Sequence, residues 1–99
     1  MTRRLTDEEV DRQLVRLGPW KRVPEASAIT ATFEFADFAA ALDFVVRVGH
    51  EAEQMNHHPD IDIRYARVTL TVFTHSAGGL TQLDIELAHR VLGEAGIET

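Results

Sequence analysis

Apolar and polar positions along this chain follow two periods, and the points where the period changes predict seven elements. Thr6-Asp7-Glu8-Glu9 reads as a capping box, with Thr6 as N-cap and Glu9 reaching back to it. Val10, Leu14 and Leu17 then recur at helical spacing, and Gly18-Pro19 is expected to stop that helix. Residues 20–23 read as a short strand ending at Pro24, followed by a turn over 25–27. From 29 to 35 the period becomes two. Ile29, Ala31, Phe33 and Phe35 point one way, and Thr30, Thr32 and Glu34 the other. This predicts a half-buried strand, hairpin-paired with the segment that carries Trp20.

Asp37 is the expected N-cap of a second helix, with Phe38, Leu42, Val45, Gly49, Ala52 and Met55 as its apolar stripe. Pro59 is expected to end it, because the residue before a proline is pushed out of the helical region. Two strands follow, over 61–65 and 67–74, the second alternating Val68, Leu70 and Val72 with Thr69, Thr71 and Phe73. Ser76-Ala77-Gly78-Gly79 reads as a flexible turn. Thr81-Gln82-Leu83-Asp84 opens a last helix, with Leu83, Leu87, Val91 and Ala95 along one side and Gly96 as its C-cap glycine. The order α-β-β-α-β-β-α predicts a single α+β domain over 1–99. Its sheet would have four antiparallel strands, with three helices packed on one face.

Composition narrows the function classes. The apolar fraction of 44% and charged fraction of 26% are those of an ordinary globular protein. The chain has no cysteine, which removes disulfides, thiolate metal sites and a cysteine nucleophile and fits a reducing compartment. The first residues are charged and lack an apolar core, so no signal peptide is expected and a cytoplasmic location is. No apolar run suits a membrane span. A formal charge of -6 and scattered arginines argue against a nucleic-acid partner. A domain of 99 residues buries a modest core, which favours oligomerisation.

Chemistry concentrates in Glu53, His57, His58, His75 and Asp84. Glu53 and His57 are four apart near a helix end, a spacing that puts them on one face. His57 and His58 stand where the helix gives way to Pro59, and His75 closes a long strand. Imidazoles are the side chains best suited to moving protons near neutral pH. Each position also has a purely structural reading. Glu53 with His57 could be a surface pair at a helix C-terminus. Asp84, three residues after Thr81, fits a capping box, and that is its expected role. His50 and His89 read as surface or interface residues. Three imidazoles could in principle hold a metal, but adjacent histidines rarely reach one ion and no H-E-x-x-H signature is present, so no metal site is expected. Neither Ser27 nor Ser76 sits in a nucleophile elbow.

The stretch Glu53-Gln54-Met55-Asn56-His57-His58-Pro59, followed by Tyr65, His75 and Asp84, resembles the signature of the pterin-4a-carbinolamine dehydratases. The likeness extends to the Leu5-Thr6-x-Glu8-Glu9 start, Gly18-x-Trp20, Phe35-x-Asp37-Phe38 and the run from Thr74 to Thr81. One departure stands at Ile61, where many members of that family carry tryptophan; it concerns the packing of one edge of the pocket.

The resemblance implies dehydration of 4a-hydroxytetrahydropterin to quinonoid dihydropterin and water, without metal or cofactor, the pterin being the substrate. It implies a catalytic set of His57, His58 and His75, with Glu53, Pro59, Thr74, Ser76 and Ala77 binding substrate and Asp84 in support. In this reading Glu53 orients His57. The resemblance further implies a homodimer or homotetramer and a functional link to an aromatic amino-acid hydroxylase. The alternative is a non-catalytic assembly or dimerisation factor, a role in which the same fold serves transcription coactivation and RuBisCO assembly. Relatives used only as scaffolds tend to lose the histidines, whereas all three are present here.

Overall fold

The computed structural model describes residues 2–97; Met1, Glu98 and Thr99, which belong to the domain expected over 1–99, lie outside the described residues. The elements run α1 (Asp7–Leu14), β1 (Lys21–Arg22), β2 (Ile29–Glu34), α2 (Phe38–Met55), β3 (Asp60–Arg64), β4 (Arg67–Val72), a 3-10 turn (His75–Ala77) and α3 (Gln82–Glu94). The strands form one antiparallel sheet in the order β1-β2-β4-β3. This is the predicted α+β order.

The sheet has two unlike faces. Ile29, Ala31 and Phe33 of β2 and Val68, Leu70 and Val72 of β4 are buried, and with Phe44, Val48, Ile85, Leu87, Val91 and Leu92 of the helices they make the core. A fully buried aliphatic or aromatic side chain contributes about 1.5–3 kcal/mol, so this interleaved layer dominates the stability. The opposite face carries Thr30, Thr32, Thr69 and Thr71. There Thr71 donates its hydroxyl to Thr30 Oγ1 at 3.1 Å, and Thr32 and Thr69 pair at 3.0 Å.

Local details sharpen several expectations. The α1 helix stops at Leu14, before Gly18-Pro19, and Leu17 reaches the core from the turn that follows. The stripe expected on α2 holds in part: Ala52 is buried and Val45 and Met55 pack against the core, but Phe38 and Leu42 do not. Ala41, Phe44, Val48 and Ala52 face inward, whereas Phe38, Leu42 and Val46 are 46%, 45% and 49% exposed. The helix is apolar on two sides, so periodicity alone does not select the buried one.

The end of α2 also differs from expectation. Asn56, not Pro59, terminates the helix by entering the left-handed region at φ 49. Asn56 N–H then bonds the Glu53 carbonyl at 3.2 Å, and His57 N–H bonds the Ala52 carbonyl at 3.1 Å. That is a Schellman ending with asparagine in the usual glycine position. The α3 helix ends the same way, with Gly96 at φ 77 and Ile97 N–H on the Leu92 carbonyl at 2.9 Å.

Candidate active site

His57, His58 and Pro59 span the gap between the Asn56 stop and the first residue of β3. Asp60 pairs with Thr71 in the β3–β4 register. On the neighbouring strand the chain runs on from the end of β4 through Phe73 to Thr74 and His75.

A buried carboxylate joins the two segments. Asp84, fully buried at the start of α3, uses both oxygens. Its Oδ1 accepts from His57 Nε2 at 2.6 Å. Its Oδ2 accepts from the Thr81 backbone N–H at 2.9 Å and from the Thr74 hydroxyl at 2.7 Å. Thr74 spends its single proton on Asp84, so the Thr81 hydroxyl, 2.7 Å away, donates to Thr74 while accepting Leu83 N–H at 3.2 Å. The carboxylate, both threonine hydroxyls and the Thr81 amide are all satisfied, the condition under which a buried network rigidifies its surroundings. The carboxylate sets the His57 tautomer with the proton on Nε2 and leaves Nδ1 without a protein partner among the described residues.

The two adjacent histidines therefore stand in different surroundings. The His57 side chain is 11% exposed and locked, whereas that of His58 is 54% exposed and contacts Glu53 through Nε2. The expectation that Glu53 orients His57 is corrected: once Asn56 reverses the backbone, the four-residue helical relation no longer holds, and His58 swings back over Glu53. Asp84 does form the expected capping box with Thr81, and it also carries the bond to His57. Sequence reasoning missed that link and the bond between the Thr81 and Thr74 hydroxyls. The available signal was a cap residue at the position that the family pattern reserves for aspartate.

His75 opens the 3-10 turn, is exposed, and lies against the Phe73 ring with centroids 5.4 Å apart. Both border a cavity of about 590 Å³ on the threonine face, lined by Val23, Ala26, Ser27, Ala28, Asp60, Thr71, Phe73, His75, Gly78 and Gly79. A cavity of that size suits a small ring system. Glu53, His57, His58, Pro59, Thr74, Ser76 and Ala77 are not among its lining residues, although Pro59, Thr74 and Ala77 each precede one that is. Ile61 is absent from the lining as well. It pairs with Leu70 on the helix side of the sheet, so its departure from tryptophan does not touch this cavity. No group of three or more histidine, cysteine or acidic side chains able to hold a metal occurs among the described residues.

The family model for pterin 4 alpha carbinolamine dehydratase matches residues 3–92. The chain belongs to this family. A Roseiflexus protein (strain RS-1) that bears the provisional name pterin-4-alpha-carbinolamine dehydratase is 46% identical over 91 residues, 92% of this chain and 96% of its own. An Acidobacterium capsulatum protein of the same provisional name is 49% identical over 84 residues, 85% of this chain and 89% of its own. Among solved structures, a transcriptional coactivator/pterin dehydratase from Brucella melitensis superposes with a TM-score of 0.91 at 40% identity, covering 94% of this chain and 99% of that one. A pterin dehydratase-like RuBisCO assembly factor of the alpha-carboxysome shares the fold, with a TM-score of 0.69 at 21% identity over 80% of this chain and 92% of that one. The dehydratases of this family are hydro-lyases. No described helix is long and apolar enough to cross a membrane.

Proposed function

We propose that this protein dehydrates the 4a-carbinolamine of a tetrahydropterin, releasing water and the quinonoid dihydropterin. One observation carries the reading beyond family membership: the buried Asp84 carboxylate bonds both His57 and Thr74 and so ties the His57-His58-Pro59 run to the strand end that delivers His75. The reaction requires a proton on the departing C4a hydroxyl and removal of a proton from a ring nitrogen. It therefore needs one acid and one base on a flat bicycle, and each typically contributes about 10²–10⁴-fold. In our reading His57 and His75 exchange these protons, and His58, kept near by Glu53, binds the ring and shares the proton work. Pro59, Thr74, Ser76 and Ala77 frame the substrate. The C4a–O bond breaks as the ring nitrogen sheds its proton, with no net oxidation or reduction, so imidazoles that move protons suffice without a cofactor.

The exposed stripe Phe38, Leu42 and Val46, one turn apart along α2, supports a homo-oligomer in which that face is covered. Recycling of a pterin used by an aromatic amino-acid hydroxylase, in the cytoplasm, is the setting we propose. The test is the rate of dehydration of freshly generated 4a-carbinolamine. His57→Ala and His75→Ala are each expected to lower kcat by about 10²-fold or more, and an unchanged kcat in both would sink the mechanism.

A further inference from the structure

We propose that Asp60 is the specificity-determining residue of the cavity, accepting hydrogen bonds from the amino-pyrimidine edge of the substrate. The inference rests on the dehydratase reading above. The cavity on the threonine face has two ionisable lining groups, Asp60 and His75. Asp60 and Thr71 are direct register partners, and Phe73 follows on the same face, with its ring against His75. A carboxylate on β3 and an aromatic ring and an imidazole just past β4 thus border the cavity together with several small residues.

The carboxylate is free to take a ligand. Among the described residues Asp60 has no ion pair and no side-chain hydrogen bond, whereas Asp62, two residues along the same strand face, is engaged by Arg64 at 3.1 Å. An edge strand often carries charge to discourage association, and Asp62 with Arg64 serves that purpose at the far end of β3. Asp60 differs in lining a cavity.

The chemistry of the ring completes the argument. A 2-amino-4-oxo pyrimidine presents two donors side by side, N3–H and the 2-amino group. A carboxylate matches them with two parallel bonds, as it matches a guanidinium. Docked in this way, with the bicycle along Phe73, the ring directs its C4a edge away from Asp60 and toward His75, the end at which Thr74 joins the Asp84 carboxylate that holds His57. A 2-oxo ring offers N3–H between two carbonyl oxygens, and the same carboxylate repels it. A site that hydrogen-bonds a substrate N–H rejects the analogue lacking it far more strongly than an apolar pocket rejects a change of shape.

The experiment measures the Kd of 7,8-dihydropterin and of its 2-oxo counterpart, 7,8-dihydrolumazine, for the native chain, Asp60→Asn and Asp62→Asn. The native chain is expected to prefer the pterin, and Asp60→Asn to weaken pterin binding by about 10–100-fold and lose most of the preference. Asp62→Asn is expected to match the native chain. The preference of the native chain is a readout that does not depend on any variant folding. A native chain that binds both rings equally, or an Asp60→Asn chain that binds the pterin within twofold of native, overturns the inference while leaving the dehydratase reading intact. A native chain that binds neither ring and dehydrates no carbinolamine overturns both.

Discussion

Two helices of this protein begin with the same device, and they use it differently. At α1, Thr6 and Glu9 form a capping box on the surface, where Glu9 also holds Arg3 through two bonds of 2.9 and 2.8 Å. At α3, Thr81 and Asp84 form the same box inside the molecule, and the carboxylate's remaining capacity goes to Thr74 and His57. A cap in water satisfies an amide that solvent would satisfy almost as well. A buried cap cannot be exchanged for solvent, so its geometry is fixed, and whatever else it holds becomes fixed with it. The comparison shows how a helix start becomes a support for proton chemistry: the motif is the same, and burial makes the difference.

The largest expected effect follows from removing the buried cap. Asp84→Ala strands three donors in the core, and unsatisfied buried groups cost about 1–3 kcal/mol each. We expect a loss of roughly 3–5 kcal/mol in denaturant unfolding. A loss below about 1 kcal/mol would end the claim that the node is tightly coupled.

Asp84→Asn is a finer probe. Its amide oxygen can still accept from Thr81 and Thr74, while its NH2 group faces His57 and forces the opposite tautomer. Stability should fall less than for Asp84→Ala, while kcat falls about 10–10³-fold, as expected when a carboxylate that sets a tautomer is lost. If unfolding and kcat moved in proportion across both variants, the tautomer argument would fail.

The smallest effect belongs to the surface cap, and it depends on pH. Two bonds from Arg3 and the Thr6 amide hold the Glu9 carboxyl down to about 2. Its folded-state pKa lies below the unfolded value near 4.5, so its contribution is present above pH 4.5 and fades as pH falls toward 2. Glu9→Gln should therefore lower the midpoint of thermal unfolding slightly at pH 7 and converge with the native chain at acid pH, with dehydration kinetics unaltered. A change in kcat would erase the distinction between the two caps.

The order of elements, the three N-caps Thr6, Asp37 and Thr81 and the Gly96 stop were legible in the sequence, because each rests on local chemistry. The buried side of α2 was legible only toward its end, at Val45, Ala52 and Met55. Phe38 and Leu42 share helical spacing with residues that do face the sheet, and only packing separates them. The partners of the histidines were also out of reach. Glu53 lies four residues from His57 and five from His58, and the left-handed turn at Asn56 decides between them. The bond from His57 to Asp84 joins positions 27 apart. No periodicity encodes a contact of that kind; it follows from the β3–β4 register and the seating of α3.

The connector of His57, His58 and Pro59 has a consequence for how this chain tolerates insertions and deletions. Its two ends are independently fixed, one by the Schellman bonds at Asn56 and the other by the pairing of Asp60 with Thr71. The His57 N–H is itself one of those Schellman bonds, so one residue added between Asn56 and His57 would carry His57 off the Asp84 carboxylate while the helix and strand kept their remaining bonds. Such a length variant would keep the fold and lose the site. A single-residue gap at this connector therefore says more about activity than many substitutions spread over the helices.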